Sequence, residues 1–311
     1  MVAACSSKDE FSQDTSQKPI VVKASINDLN ANTRSTGDAT ALQHTAFLDG
    51  EKINVFFKEE KNGVTSNIPG VPSNPGYIIY KKTGDAWTAQ NAESTLMWPA
   101  YSDLLTTAIY PSTDKDDTPI TLSTNKFEVN SQQILDKDYR KSDLMFASES
   151  ALDREYGTVN FSFNHKLTKI TIVIDPSNLF DDVSDFNSKV DEIMIYAKTQ
   201  ALLDNSFKAT GVAGNYNWIT LWQKSIGTTY NPSGVSCIIP SQNIPGNQEF
   251  LSFMYQGGGD VYYTYKTPAE GFSFVAGKEY VFTISLANKS LVFESPSIYN
   301  WTQVPKTGVA D

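Results

Sequence analysis

Apolar and polar residues alternate with period two along most of this 311-residue chain, and almost nowhere with the period of a helix. Such alternation puts successive side chains on opposite faces of a strand, so it commits the chain to sheets with one buried face. Strands are predicted over 20–26, 52–57, 77–81, 86–89, 108–111, 143–147, 158–163, 169–174, 191–198, 218–223, 234–239, 249–255, 261–266, 279–287 and 290–293. Gly, Pro and Asn punctuate these runs, and Lys82-Thr83-Gly84-Asp85 reads as a hairpin turn. Only 134–140 offers a turn or two of helix. Many short strands with this punctuation predict an all-β chain of β-sandwiches. The length favours two domains. A boundary is expected near Asn164, where a new run of alternating strands begins, giving units over 20–164 and 165–311 behind a leading segment, 1–19.

Composition narrows the function. Hydrophobic residues make up 40% and charged residues 19%, as in globular chains, and 15 Tyr and 17 Phe lean towards strands. A net charge of -10 disfavours nucleic acid and anionic membrane surfaces as partners. No run of about 18 apolar residues is available to span a bilayer as a helix.

The first 34 residues carry the sharpest signal. Cys5 follows Val2-Ala3-Ala4 and precedes two serines, the pattern of a bacterial lipoprotein processing site. Small side chains suit the peptidase pocket, and the thiol is then acylated; two or more acyl chains anchor stably at about 0.8 kcal/mol per buried methylene. The apolar signal segment that such a site follows is expected upstream of Met1. Residues 6–19 are a polar tether. One isolated strand follows, with Ile20, Val22, Ala24 and Ile26 on its apolar face, and then a polar loop over 27–45. Arg34, one of three arginines, stands in that loop, where a protease can bind an extended backbone. Cutting after Arg34 would release tether and strand together. An edge and an apolar groove would open, ready for an extended segment of another subunit.

Other constellations read as structural. Cys237, in an apolar run, is expected to be a buried small side chain. His165 is expected to be a hydrogen-bonding core residue, and it forms no compelling triad with His44 or a serine. Gly257-Gly258-Gly259 has strands on both sides and reads as a hairpin loop. Asp114, Asp116 and Asp117, and Asp181, Asp182 and Asp185, read as solvated acidic loops, because neither group has the glycine and distal Glu of a calcium loop. Tyr216, Trp218 and Trp222 form the one dense aromatic cluster. A strand over 218–222 would put Trp218 and Trp222 on one face, which we read as a core face, with sugar stacking as the alternative. No catalytic constellation, cofactor or metal is expected, so the chain is not read as an enzyme.

The chain resembles the fimbrillins of Bacteroidales, the subunits of type V pili. The resemblance rests on Cys5, the strand before Thr33-Arg34, and Phe47-Leu48-Asp49-Gly50-Glu51-Lys52-Ile53-Asn54-Val55-Phe56. It extends through Phe161-Ser162-Phe163-Asn164-His165-Lys166-Leu167-Thr168-Lys169-Ile170, Ile238-Ile239-Pro240-Ser241-Gln242, and Gly277-Lys278-Glu279-Tyr280 to Ile298-Tyr299-Asn300-Trp301. It implies two transthyretin-like β-sandwich domains in tandem. It implies export as a lipoprotein to the outer membrane, through lipid on Cys5, and cleavage by an arginine-specific surface protease. It further implies polymerisation with other pilin subunits into a fimbrium by donor-strand exchange, as a stalk or tip subunit serving adhesion. The expected donor is 290–311, with Leu291, Phe293, Ile298 and Val304 as groove-filling side chains and Pro296 and Pro305 interrupting it. The alternative function is a surface glycan-binding lipoprotein.

Overall fold

The alternating runs form strands, and their apolar faces form two clusters of buried side chains. A computed structural model of the chain describes residues 18–27, 44–99, 103–112, 120–121, 125–148, 151–153, 157–175, 188–204, 208–226, 234–256, 260–287, 290–293 and 295–301. Cys5, Arg34, Val304, both acidic loops and the glycines at 257–259 lie outside the described residues. The fold is all-β. In the α-helix Asp136–Lys141, Asp136 and Asp138 sit in the first turn and Arg140 and Lys141 in the last, each sign at the helix end it favours.

A nine-stranded sheet is ordered Val21–Ile26, Thr158–His165, Met145–Ser148, Asp103–Tyr110, Lys52–Lys61, Ile78–Thr83, Ala86–Ala89, with two short strands beside this path. Thr158–His165 is flanked on both edges: residues 158–163 pair in parallel with Val21–Ile26, and on the other edge residues 158–160 pair with Ala151–Asp153 and residues 164–165 with Met145–Ser148. Ile53, Val55 and Phe57 from one part of the sheet and Val159, Phe161 and Phe163 from the other join one core.

The second core gathers residues of two further sheets. One is ordered Gly234–Ile239, Thr168–Asp175, Lys278–Ala287, Ser290–Phe293, with Ser297–Asn300 also on Lys278–Ala287. The other runs Asp260–Lys266, Glu249–Gln256, Val190–Leu203, Lys126–Glu128, Ile120–Thr121, with Ala209–Gln223 paired to Val190–Leu203. Ile170, Ile172, Cys237 and Phe282 meet Ile193, Ile195, Ile219 and Phe253 here. Cys237 is fully buried, as expected of a small apolar side chain. Strands Glu249–Gln256 and Asp260–Lys266 pair antiparallel.

Residues 125–144, which precede the expected boundary, contribute to this second core. Lys126–Glu128 pairs antiparallel with Val190–Leu203, and Phe127, Val129, Tyr139 and Leu144 are buried in the second cluster. Periodicity does not disclose this, because a strand's pattern says which face is buried and not which sheet receives it.

Two glutamine side chains serve as strand segments. The Gln133 amide donates to the Ile238 carbonyl and accepts from the Ile238 N–H, both at 2.8 Å. Gln242 does the same for Lys198, at 3.0 Å each. Each supplies a buried donor and acceptor that the backbone ladder leaves open. Leaving two buried backbone groups unpaired costs about 1–3 kcal/mol each. Gln133→Leu is therefore expected to destabilise the fold by about 2–6 kcal/mol, read by urea unfolding. Wild-type stability in that variant would refute this role.

Candidate functional site

The segment 18–27 runs across the first core and is held along its whole length. Lys18 accepts from the Trp98 N–H, and the Ile20 N–H donates to Leu96, both at 2.8 Å. Val21–Ile26 then pairs in parallel with 158–163, from Val21 opposite Thr158 to Ile26 opposite Phe163. The Asn27 N–H donates to the Phe163 carbonyl at 2.8 Å, and the Asn27 amide donates to Asn164 Oδ1 at 3.1 Å. Val22 and Ile26 are buried, and Ile20 and Ala24 pack half-buried against the same core. Val21, Lys23 and Ser25 face outward. Val22 and Ile26 each contribute about 1.5–3 kcal/mol by burial. The start of the strand depends on Gly157, which has φ +67°; a Cβ there would lie 2.5 Å from the Pro19 carbonyl oxygen.

The described chain resumes after 28–43 at His44, which is buried in a charged cluster. His44 Nδ1 lies 2.9 Å from Asp143 Oδ2, and His165 Nδ1 lies 2.9 Å from Asp143 Oδ1, so one carboxylate serves two imidazoles. The His44 contact is an ion pair whose angle falls short of a hydrogen bond; the His165 contact is a hydrogen bond. His44 Nε2 lies 3.6 Å from Glu51, which also accepts from the Tyr110 hydroxyl at 2.9 Å. Arg140 lies 3.5 Å from Glu51, pairs with Asp136 at 2.6 Å and donates to the Ala46 carbonyl at 2.9 Å.

Burial opposes charge on His44, Glu51 and Asp143, and their partners overcome it. Burial would lower the His44 pKa, but the Asp143 and Glu51 carboxylates hold it above 6.5. Burial would raise Asp143, but His165 and His44 bring it down to about 2. Burial, then the Glu51 charge, pushes Tyr110 well up and keeps its proton on the hydroxyl. The result is a clamp of opposite charges between remote stretches of chain. On its far side, the His165 ring stacks on Trp301 with centroids 4.0 Å apart and planes 5° apart. Trp301 is the last described residue, and its N–H donates to the Gly277 carbonyl at 2.9 Å. A residue near the end of the expected cleavage loop and the residue at the end of the described chain are thus linked through Asp143 and His165.

Two described strands of the expected donor segment lie along the edge of their own second-core sheet. Residues 290–293 and 297–300 pair antiparallel with the two ends of Lys278–Ala287, from Ala287 opposite Ser290 to Lys278 opposite Asn300. The strand breaks across Pro296, and the register shifts by one residue there. Ile298 is 57% exposed, whereas Leu291 and Phe293 are placed by backbone register alone.

The tryptophan reading needs correction. Trp222 is buried in the core opposite Ile193, but Trp218 lies on the other face, opposite Tyr196. A β-bulge between Ile193 and Met194 leaves one extra residue in the 218–223 stretch and reverses the facing. Sequence spacing cannot show this, because a bulge is fixed by pairing with the neighbouring strand. The buried cluster also escaped sequence reasoning. Asp143 was expected to open a strand, whereas the strand begins at Met145 and Asp143 turns inward. His165 was expected to be a hydrogen-bonding core residue, and it is. The legible signal was scarcity: two histidines in an acidic chain, one of them beside an apolar strand.

Asp143→Asn is expected to cost about 3–5 kcal/mol, because both histidines lose their buried counter-charge. The folded pKa of Asp143, about 2, lies below its usual 3.8, so its contribution is whole above pH 3.8 and is lost as pH falls towards 2. The raised His44 pKa gives the opposite limb: its contribution is whole below pH 6.5 and is lost as pH rises through the folded value. Denaturant unfolding from pH 2 to 9 is expected to show both limbs, flattened in Asp143→Asn. Equal pH profiles in the two proteins would refute the clamp.

The family model described as fimbrillin-like matches residues 33–301. It therefore spans both cores and starts after Val21–Ile26. No curated protein sequence matches the chain significantly. Among solved structures, a candidate cell adhesion protein from Bacteroides ovatus superposes with a TM-score of 0.65 at 17% identity, over 92% of this chain and 98% of that one. A candidate cell adhesion protein from Bacteroides uniformis gives 0.57 at 20% identity, over 91% and 98%. These two share the fold. The family model covers most of the sequence and decides the assignment: the chain belongs to the fimbrillin-like family.

Proposed function

We propose that this chain is a structural subunit, stalk or tip, of a cell-surface pilus serving adhesion. The observation that carries the reading is the seat of the N-terminal segment. Residues 18–27 complete the first core with two buried side chains and an unbroken set of backbone bonds, yet they join the body only through the stretch that contains Arg34. In this reading the subunit reaches the outer membrane as a lipoprotein acylated at Cys5. An arginine-specific surface protease cuts after Arg34. Ile20, Val22, Ala24 and Ile26 then leave, and the edge of 158–163 opens beside Val159, Phe161 and Phe163. An extended segment from another pilin subunit fills the vacancy by backbone pairing.

The donor in this reading comes from 290–311, with Leu291, Phe293, Ile298 and Val304 as inserted side chains. Since 290–300 lies on Lys278–Ala287, donation requires its release from that edge. We further propose two sandwich domains that divide near Asn164, with 125–144 packing across the division.

Treatment with an arginine-specific protease is expected to give a new N-terminus at Ser35 and a ladder of oligomers by size exclusion. An intact Arg34 bond, or cleavage that leaves only monomer, would overturn the reading. Cysteines at Val281 and Ser297, which lie opposite each other, would staple the donor segment in place. The oxidised V281C/S297C protein is expected to be cut normally and to stay monomeric until reduced. Gly157→Ala, which crowds Pro19, is expected to weaken the seat: amide exchange over 20–27 should speed up at least about tenfold, a loss of about 1.4 kcal/mol. Unchanged exchange would mean that Gly157 does not secure the strand.

A further inference from the structure

The bulge that sends Trp222 into the core leaves Trp218 on the outer face of the hairpin Val190–Leu203 and Ala209–Gln223. Three aromatic rings gather there. Tyr196 and Trp218 have centroids 4.9 Å apart, and Tyr196 and Tyr216 are stacked at 5.5 Å with planes 25° apart. Lys198 Nζ sits 5.4 Å from the Tyr216 ring centre, and the Tyr216 hydroxyl donates to the Asn243 carbonyl at 3.4 Å, so that ring is fixed at both ends. All three rings are half-buried; Tyr216 also packs against the margin of the second core, whereas Tyr196 and Trp218 take no part in it.

Trp218 also lines an open recess of about 620 Å³, with Glu128, Asn130, Ser131, Thr199 and Asn217. The volume lies within the range of small-molecule sites, about 300–1,000 Å³. The Glu128 carboxylate is held by the Thr199 hydroxyl at 3.2 Å and the Gln200 amide at 3.3 Å. Rigid aromatic faces beside amide, hydroxyl and carboxylate groups suit one ligand chemistry. The C–H face of a pyranose packs on an aromatic ring, while its hydroxyls exchange hydrogen bonds with polar side chains. A carboxylate in the recess and the chain's net charge of -10 disfavour anionic sugars.

We propose that Trp218, with Tyr216 and Tyr196, forms the platform of a binding site for neutral glycans, and that Asn217, Asn130, Ser131 and Glu128 orient the sugar hydroxyls. The site shares no residue with the segment at 18–27 and does not depend on strand exchange. Native affinity electrophoresis in gels containing galactomannan, xyloglucan or amylopectin tests it, with heparin and polygalacturonate as anionic counterparts. At least one neutral polysaccharide is expected to retard the protein. Trp218→Ala should weaken retardation about tenfold or more, as truncation of a central aromatic anchor does. Trp218→Phe should keep most of it, and Tyr216→Ala should lose several-fold. Tyr262→Ala, which alters an exposed aromatic on another strand, should bind as wild type.

No retardation in any neutral gel, retardation by the anionic polymers alone, or full binding by folded Trp218→Ala would overturn the proposal. Trp218→Ala is expected to unfold at the wild-type temperature, since Trp218 is outside the core; if it does not fold, Tyr216→Ala and Asn217→Ala decide. Protease-triggered assembly of Trp218→Ala is expected to be unchanged, so loss of glycan binding and loss of polymerisation are distinguishable.

Discussion

One buried carboxylate ties the chain together. Asp143 is fully buried and serves His44 on one oxygen and His165 on the other. A lone carboxylate at that depth would take up a proton; with two imidazoles beside it, it stays charged far below the usual range. His44 lies near the end of the loop expected after the first strand, Asp143 follows the helix, and His165 ends the strand on which 21–26 lies. Trp301, stacked on His165, brings in the far end of the described chain. Removing either sign strands the other in an apolar setting, which is why so many segments depend on one side chain.

The first and last described strands share a physical character. Segment 18–27 lies at the margin of the nine-stranded sheet, and 290–300 lies at the margin of a second sheet, both in register with their neighbours. Marginal strands expose backbone groups and invite pairing with other chains. They are also the strands a sheet loses at least cost, because one side of the ladder is already open. The N-terminal strand offsets this with buried Val22 and Ile26 and close contact at Gly157. The C-terminal one is broken at Pro296 and leaves Ile298 in water. The seat is thus strong at the N-terminal strand and weak at the C-terminal one.

Local patterns were legible wherever one strand's alternation was enough. The apolar face Ile20, Val22, Ala24 and Ile26 faces inward as the period predicts, and Gly84 sits in the expected hairpin with positive φ. The short strands 64–67, 126–128, 243–244 and 297–300 were not legible, since two to four residues carry too little periodicity. The strand Ala209–Gln223 extends far upstream of the predicted start because its first half alternates poorly and is held by its long partner. The aromatic platform lay hidden behind a bulge, and the histidine clamp behind residues separated by about a hundred positions.

The sequence by itself determined the class of structure, the inward faces of the longer strands, the burial of Cys237, and the series of an anchor-like cysteine, a strand and an arginine. These follow from side-chain period and local chemistry, which act over a few residues. Tertiary structure alone decided which sheet receives 126–128, which face carries Trp218, and which charges meet at Asp143. Each of those depends on pairing or contact between segments far apart in the chain, and no local pattern encodes the partner.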